Sequence, residues 1–340
     1  MRDTLAQLLD ARPLDEAHAQ RVFESIFRGE ADDAQIGALL ALIAQRGPTI
    51  DELVGAARAM RAHLTPVPYT PPETDALIDT CGTGGAPKTF NVSTAAALVV
   101  AAAHGARRVR VAKHGNRSRT GRGSAEVLGA LGVNVDAPPE AQARCLDEAG
   151  LCFCFAIHHH PATRSAAPAR QALGFPTIFN LLGPLTNPAR APRQLLGVYA
   201  LRYTEPLAHA LSRLGAERAV VVHSDDGMDE VSTLAPTRLA ETHAGAVRTG
   251  VIDPSLFNFA PATLDDLRAR DVPHAAQIIR DVLEGARGPA RDIVLLNAAV
   301  ALTVADAAPD LPSAFALASD AVDTGAATAA LERLRTASHA

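Results

Sequence analysis

Cationic and amide side chains cluster directly after one short apolar run of this sequence. Residues 109–112 are followed by Lys113-His114-Gly115-Asn116-Arg117-Ser118. Such an ending predicts a strand that delivers its side chains to the edge of a sheet, where ligands bind in open α/β folds. A charge run by itself is as often a solvated surface, so both interpretations stay open for this segment alone.

A second loop carries glycines in place of charges. Gly82-Thr83-Gly84-Gly85 follows the apolar residues 77–78, and Asn91-Val92-Ser93-Thr94 opens an alanine-rich helical pattern. Glycines let backbone N–H groups approach an anion closely, and a helix N-terminus adds free donors. A tight turn followed by an ordinary helix cap is the alternative. Because Pro87 breaks both the Walker pattern and the dinucleotide fingerprint, we expect phosphate binding but neither an NTPase nor a dehydrogenase.

Carboxylates follow a third apolar run, residues 219–223. They are Asp225, Asp226, Asp229 and Glu230. Clustered carboxylates at a strand end can hold Mg²⁺, which prefers oxygen ligands and often bridges to substrate phosphates. An acidic surface turn is the alternative. Together with two anion-binding loops, a metal site is the better interpretation.

Three consecutive histidines, His158-His159-His160, raise the question of a further metal site. Adjacent residues on an extended segment point to opposite faces, so the three cannot easily share one ion. We expect a structural or substrate-lining role. The segment 180–188 is rich in turns and has little ionisable chemistry of its own.

The elements that must position these loops fall into two parts. Residues 1 to about 65 predict helices, because apolar side chains recur at helical spacing, with Asp15 and Thr49 as N-caps of the second and fourth. The proline-rich residues 66–72 predict a linker. Beyond it, apolar runs alternate with helical patterns, which predicts a largely parallel sheet with helices on both faces. The predicted strands are 77–78, 109–112, 152–157, 195–200 and 219–223, and the predicted helices 94–103, 124–131, 139–148 and 204–214. Residues 162–185 interrupt this rhythm and could pack on the N-terminal helices.

Composition excludes several functional classes. A chain of 340 residues is long enough for two domains or for one large domain with an appendage. A content of 48% hydrophobic and 20% charged residues is typical of a soluble globular enzyme. The net charge of -5 speaks against a general nucleic-acid binder. The most apolar stretch is too short for a membrane span, and the acidic N-terminus does not predict a secretory signal. The four cysteines form no C-x-x-C pair, so we expect neither a zinc site nor a disulfide scaffold, and the cytoplasm as compartment.

The order of these motifs resembles that of one protein family. GTGG followed by FNVSTAAA, then AKHGNRS, GSAEVLGALG, HHHPA, FNLLGPLTNPA and DGMDEVS, resembles the anthranilate phosphoribosyltransferases over nearly the whole chain. KHGNR and NLLGPLTNPA are highly specific. The resemblance implies an α/β fold of the nucleoside phosphorylase/phosphoribosyltransferase type. A small N-terminal helical domain, residues 1–66 with part of 162–190, would be joined by hinges to a large, mostly parallel-sheet domain, residues 73–340.

The same resemblance implies an activity. The enzyme would transfer the phosphoribosyl group from 5-phospho-α-D-ribose 1-diphosphate (PRPP) to the amine of anthranilate, in tryptophan biosynthesis. The products would be N-(5-phosphoribosyl)anthranilate and diphosphate, and the reaction would depend on Mg²⁺. The resemblance further implies a cytoplasmic homodimer whose ligands are small molecules, with neither nucleic acid nor membrane as partner.

Site residues carry over from the family by position. Those implied to bind PRPP are Gly82, Gly85, Ala86, Thr89, Asn91, Val92, Ser93, Thr94, Lys113, His114, Gly115, Asn116, Arg117, Ser118, Arg119, Thr120, Gly121 and Ser124. Those implied to bind anthranilate are Gly82, Asn116 and Arg170, and Arg170 would pair with the carboxylate as a planar donor. His114 and His160 would line the acceptor path. Ser93, Asp229 and Glu230 would bind Mg²⁺, and no residue is assigned as a general acid or base.

The sequence departs from the family pattern in the glycine loop. Ala86 stands where the family has an Asp, and the loop to Asn91 and the loop 119–123 each look one residue short. The loss of a carboxylate and the gain of Lys88 should make the pocket more positive. We therefore expect an altered Mg²⁺ dependence with activity retained.

Two rival functions remain to be weighed. A pyrimidine-nucleoside phosphorylase shares the fold, but its pocket needs a nucleobase reader, whereas Arg170 with Asn116 fits a carboxylate better. A non-catalytic relative that binds nucleic acid should lose the metal carboxylates and gain a basic surface. Asp229, Glu230 and the negative net charge speak against it.

Overall fold

The computed structural model describes residues 1–87, 89–117 and 121–340. Lys88 and three residues predicted to bind PRPP, namely Ser118, Arg119 and Thr120, lie outside the described residues.

Four helices form the N-terminal part. They are α1 (Arg2–Leu9), α2 (Glu16–Phe27), α3 (Asp33–Arg46) and α4 (Ile50–Ala62). The two predicted N-caps are confirmed: Asp15 accepts a hydrogen bond from His18 N, and Thr49 forms a capping box with Glu52. Residues 66–72 contain neither helix nor strand, as the prolines predicted.

A seven-stranded sheet in the order β3-β2-β1-β4-β5-β6-β7 forms the second part. Its strands are β1 (Ala76–Asp79), β2 (Val109–Gly115), β3 (Leu151–Phe155), β4 (Arg193–Gly197), β5 (Arg218–Ser224), β6 (Thr237–His243) and β7 (Ala246–Ile252). The first five strands are parallel to one another. β6 is antiparallel to β5, and β7 is antiparallel to β6. The predicted parallel α/β sheet is thus confirmed.

Two strand boundaries were predicted wrongly. β3 ends at Phe155, because the following four residues turn into a short helix. β4 ends at Gly197, where the chain lies so close to the loop after β5 that a Cβ at Gly197 would come within 1.7 Å of the Asp229 carbonyl oxygen. Cys152 and Cys154 share one face of β3, as expected, with their sulfurs 3.6 Å apart.

Helices cover both faces of the sheet. They are α5 (Val92–Ala102), α6 (Ser124–Ala130), α7 (Pro139–Glu148), α8 (Ala156–His159), α11 (Thr204–Arg213), α12 (Val272–Leu283), α13 (Pro289–Val304), α14 (Leu311–Asp323) and α15 (Ala326–His339). Two further helices, α9 (Ala167–Leu173) and α10 (Phe179–Leu182), instead pack on α3 and α4, as expected for residues 162–185. Side chains alternate along the strands, so Val220 joins a core with α5 and α13–α15, while Val221 joins a core with α11 and the N-terminal helices.

Arginines connect the N-terminal helices to the sheet part. Arg61 on α4 donates to the carbonyl oxygens of Leu185 (2.8 Å) and Leu214 (2.9 Å). Arg213 on α11 forms a salt bridge of 2.6 Å with Asp51. None of the helices in the described ranges has the length and hydrophobicity that a bilayer crossing needs.

Candidate active site at the carboxyl ends of the strands

The glycine loop leaves the sheet at the end of β1. Gly82 pairs with Gly197 at the end of β4, and Gly84 and Gly85 have φ angles of 64° and 100°, which other residues rarely adopt. A Cβ at Gly82 would lie 3.2 Å from a carboxylate oxygen of Asp229. Glycine at this position therefore lets the acidic loop approach the glycine loop. Ala86 and Thr89 continue the loop, both partly buried.

The N-terminus of α5 faces the same edge of the sheet. Asn91 precedes it with a φ of 71°, and its amide donates to the Arg122 carbonyl oxygen at 3.3 Å. The Thr94 hydroxyl lies 3.3 Å from that of Ser124, the first residue of α6. The two helices thus begin side by side, and the positive end of the α5 helix dipole favours an anion there. Val92, the first residue of α5, is fully buried.

Lys113 joins the glycine loop to α5. Its side chain is 2% exposed, and its ammonium donates to the Thr80 carbonyl oxygen at 2.8 Å and to the Ser93 hydroxyl at 3.2 Å. Burial lowers the pKa of Lys113, and the nearby carboxylates of Asp79 and Glu230 oppose that shift. The Lys113 ammonium therefore lies between the glycine loop and the start of α5, where backbone N–H groups could bind phosphate oxygens.

Asp229 and Glu230 face this lysine from the loop after β5. A carboxylate oxygen of Glu230 accepts from Ser93 N at 3.3 Å. Burial, together with the adjacent Asp229, raises the pKa of Glu230 to about 8, while Lys113 and Ser93 N act against the rise. Two neighbouring carboxylates that are costly to ionise together are what a divalent cation would stabilise.

The other two predicted carboxylates point elsewhere. Asp225 is exposed and bonds the Arg238 guanidinium at 3.0 and 3.1 Å. Asp226 accepts from Met228 N and from the Ser232 hydroxyl, which fixes the local turn. The four-carboxylate interpretation is therefore wrong, because the turn directs only its last two acids inward.

The donor set was tested for Mg²⁺. Within the described residues, no group of three or more His, Cys, Asp and Glu side chains could hold a metal ion. Two carboxylates, of Asp229 and Glu230, and the Ser93 hydroxyl remain, all oxygen donors near the N-terminus of α5. That set fits Mg²⁺, which usually binds through one or two carboxylates and completes its shell with waters and substrate phosphates.

Two histidines, His114 at the end of β2 and His160 after β3, contact each other near the candidate site. His114 Nδ1 is 3.0 Å from the Gly183 carbonyl oxygen, and the Nε2 atoms of His114 and His160 are 3.2 Å apart. Because Gly183 O only accepts, His114 carries its proton on Nδ1, and His160 Nε2–H donates to His114 Nε2. Burial lowers the pKa of both, that of His160 to about 4.

The prediction that the three adjacent histidines lie on an extended segment is wrong. They follow β3 in a helical turn, and each has its own partner. His158 lies 2.7 Å from Asp136 at the surface, His159 contacts Thr65 O and Gln142, and His160 contacts His114. Only His160 reaches the site.

Arg170 lies on α9 against an aromatic ring. Its guanidinium carbon is 4.7 Å from the ring centroid of Phe179, and burial lowers its pKa. Within the described part of the chain it forms no salt bridge. A partly buried guanidinium of this kind would bind a ligand carboxylate well.

The remaining predicted residues surround this centre. Gly115 packs on the Phe153 ring, where a Cβ would come within 2.6 Å. Asn116 and Arg117 are exposed, and Arg117 lies 5.5 Å from the Phe155 ring centroid. Gly121 is exposed with a φ of 71°.

Sequence reasoning missed three buried groups that hold these loops: Asp79, Asn187 and Asn297. Asn297 on α13 bonds both the N–H (2.9 Å) and the carbonyl oxygen (2.8 Å) of Val231, next to the acidic pair. A carboxylate directly before a glycine loop was the available signal for Asp79. Nothing near Asn297 in the sequence indicates its role.

Comparisons with known proteins were made for the whole chain. Residues 74–328 match the model for the glycosyl transferase family a/b domain, and residues 2–64 match that for the helical bundle domain of the same family. The anthranilate phosphoribosyltransferase of Thioalkalivibrio sulfidiphilus is 47% identical over 98% of this chain and 97% of its own length. That of Rubrobacter xylanophilus is 48% identical over 98% and 96%.

Solved structures agree with the sequence relatives. Anthranilate phosphoribosyltransferase from Thermus thermophilus superposes with a TM-score of 0.91 at 38% identity, over 99% of this chain and 100% of its own. The Saccharomyces cerevisiae enzyme, solved with PRPP and Mg, has a TM-score of 0.88 at 23% identity over 99% and 97%, which shows a shared fold.

Proposed function

This chain belongs to the anthranilate phosphoribosyltransferase family, and we propose that it transfers the phosphoribosyl group of PRPP to the amine of anthranilate in tryptophan biosynthesis. One observation carries the proposal. Ser93 connects Lys113, through its hydroxyl, to Glu230, through its N–H, beside the glycine loop. A single junction thus brings a cation, a helix N-terminus and a metal-binding carboxylate to one diphosphate site.

The main task of this site is to stabilise the leaving group, diphosphate. In the reaction the bond from the ribose C1 to diphosphate breaks, and its electron pair leaves with the diphosphate. The anthranilate nitrogen bonds to C1 and loses a proton to water. C1 gains positive charge and the diphosphate negative charge as they separate. Lys113, the N–H groups of the glycine loop and the start of α5 would bind that negative charge, which lowers the barrier.

The enzyme uses Mg²⁺, and we propose Ser93, Asp229 and Glu230 as its ligands. When bound, the ion would add positive charge beside the departing diphosphate. The chain's own residues prepare for it: the missing Cβ of Gly82 leaves room for Asp229, and Asn297 holds the backbone at Val231.

The acceptor would bind on the side of Arg170. Its guanidinium would pair with the anthranilate carboxylate, with Gly82 and Asn116 as further contacts and His114 and His160 along the path. The aromatic amine is neutral near pH 7, so attack needs no strong base. Both histidines are held neutral by burial, and catalysis would rest on positioning and charge stabilisation.

We also propose the two-domain arrangement that the family implies. Residues 1–66, with part of 162–190, would move as a helical domain on hinges against residues 73–340. Closure would exclude water, which would otherwise hydrolyse the reactive sugar. A cytoplasmic homodimer follows from the same resemblance.

A fluorescence assay tests the function. Purified protein with Mg²⁺, PRPP and anthranilate should deplete anthranilate fluorescence, and omission of PRPP should stop the loss. An unchanged signal, with phosphorolysis of uridine or tight oligonucleotide binding instead, would overturn the proposal.

A further inference from the structure

The segment 180–188, which carries little chemistry of its own, is a junction of hydrogen bonds. Its carbonyl oxygens accept from three different elements: Gly183 O from His114 Nδ1 at 3.0 Å, and Pro184 O from Gln194 Nε2 at 2.9 Å. Leu185 O accepts from Arg61 of α4. The segment therefore contacts the candidate site and the N-terminal helices at once.

Asn187 is the side chain by which this segment reaches the strand ends. It is 8% exposed, and its amide nitrogen donates to the Asp79 carboxylate and to the Ala112 carbonyl oxygen, each at 2.8 Å. Its amide oxygen accepts from Ala189 N at 2.9 Å. Every hydrogen of this amide is used, so its orientation is determined.

Asp79 extends the pairing of β1 with β2 beyond the backbone ladder. The register between these strands runs to Ile78 and Val111. Past that point, the Asp79 carboxylate, which is 1% exposed, accepts from His114 N at 3.1 Å. The next carbonyl, that of Thr80, binds the Lys113 ammonium. The carboxylate thus fixes the strand ends where Lys113 and His114 emerge.

Charge reinforces this geometry. Asp79 is a buried carboxyl group near the buried amino group of Lys113, and two donors, from Asn187 and His114, bond its oxygens. Burial raises the pKa of Asp79, and the Asn187 amide, the Lys113 charge and the His114 N–H act against that rise. Donors on both oxygens favour the ionised form.

We propose that Asp79, held by Asn187, is a positioning residue of the transferase, which sets Lys113 against the diphosphate of PRPP and His114 against the acceptor pocket. The inference rests on the proposed function. It also predicts a specific loss: a misplaced Lys113 should weaken binding of the transition state more than binding of the substrates.

Asp79→Asn is the principal test, because it keeps the size of the side chain and removes the charge. One oxygen can still accept from His114 N, but a second amide donor then faces Asn187. We expect kcat to fall about 10- to 100-fold, with the KM for anthranilate within about threefold of wild type. Asn134→Asp, a similar exchange at an amide bonded to Ser338 O far along the chain, should leave kcat within about twofold.

A reciprocal exchange separates positioning from general stability. Asn187→Asp places two carboxylates against each other and should lower kcat at least as much as Asp79→Asn. The double variant Asp79→Asn/Asn187→Asp restores a donor and an acceptor across the contact, so it should regain about tenfold in kcat over Asn187→Asp alone. A merely structural role would give variants whose kcat follows only the folded fraction in a thermal melt.

Failure of the proposed function and failure of the positioning role give different results. A wild-type protein without transferase activity overturns the proposed function. An active wild type, with Asp79→Asn within about twofold in kcat or with no recovery in the double variant, overturns the positioning role. Should Asp79→Asn not melt cooperatively, Asn187→Ser takes its place, with the same expected loss of kcat and the same twofold limit.

Discussion

The ammonium of Lys113 lies 3.2 Å from the hydroxyl of Ser93, at the point where the glycine loop, β2 and α5 meet. Neither residue is near the other in the chain, and the parallel sheet brings them together. In the proposed function this contact belongs to the phosphate half of the site. Arg170, stacked on Phe179, is the residue that we propose for the acceptor half.

Removal of the lysine charge should weaken catalysis with PRPP. Lys113→Met should lower kcat/KM for PRPP about 100- to 1000-fold, because the charge that the leaving group develops loses its buried partner. Steady-state kinetics at saturating Mg²⁺ measure this. Arg21→Met, which removes an exposed positive charge on α2, is the matched control and should match wild type. Equal effects of the two variants would contradict the role of Lys113.

Arg170 should act on the acceptor alone. Arg170→Lys keeps the charge but loses the planar pair of donors, so the KM for anthranilate should rise about tenfold or more while the KM for PRPP changes less than about twofold. Initial rates with each substrate varied in turn separate the two constants. A parallel rise in both would show that Arg170 supports the whole site and does not recognise the carboxylate.

The contribution of two buried histidines, His114 and His160, to the free energy of unfolding should fall as the pH drops below neutrality. His160 has a pKa of about 4 in the folded protein, and that of His114 is also lowered, against about 6.5 when unfolded. The unfolded chain therefore binds more protons than the native one in the window from about pH 6.5 to 4. Stability contributed by the neutral rings is complete above this window and is lost on acidification, at about 1.4 kcal/mol per pH unit for each histidine.

Urea unfolding at several pH values measures that slope. His160→Gln should reduce this slope by the equivalent of about one bound proton, or about 1.4 kcal/mol per pH unit. His209→Gln, an exchange at an exposed histidine of α11, should leave the slope unchanged. The same slope in wild type and His160→Gln would mean that His160 is not neutral in the fold.

The glycine loop should set the Mg²⁺ requirement. Ala86 is partly buried next to Gly85, at a position where the sequence resemblance implies a carboxylate in the family. Ala86→Asp should lower the Mg²⁺ concentration that gives half-maximal rate, since it adds negative charge beside the diphosphate. Ala86→Asn, which has the same shape without charge, is the control. Coincident Mg²⁺ titrations of wild type and Ala86→Asp would contradict the expectation.

The five parallel strands could be predicted because strands buried on both faces form continuous apolar runs. β6 and β7 could not, since their exposed positions carry residues such as Arg238 and Arg248, which interrupt any run. The residue at which each strand ends could not be predicted either. Gly197 ends β4 through a contact with Asp229, and no local pattern encodes it.

Within the site, sequence indicates the residues that end strands, and tertiary contacts decide which of them face the ligand. Asp225 and Asp229 look equivalent in the sequence, yet Arg238 holds the first at the surface. The Asp79–Asn187 bond joins residues 108 positions apart, so neither residue alone indicates it. The ligand roles of the site residues stay predictions until the variants are measured.

Product identification tests the central claim most directly. The protein is incubated with Mg²⁺, PRPP, inorganic phosphate and an equimolar mixture of anthranilate and uridine. The products are identified by mass spectrometry, and diphosphate is quantified. We predict N-(5-phosphoribosyl)anthranilate, unchanged uridine, and diphosphate equal to the anthranilate consumed. Recovery of all the anthranilate, with or without conversion of uridine, would contradict the account.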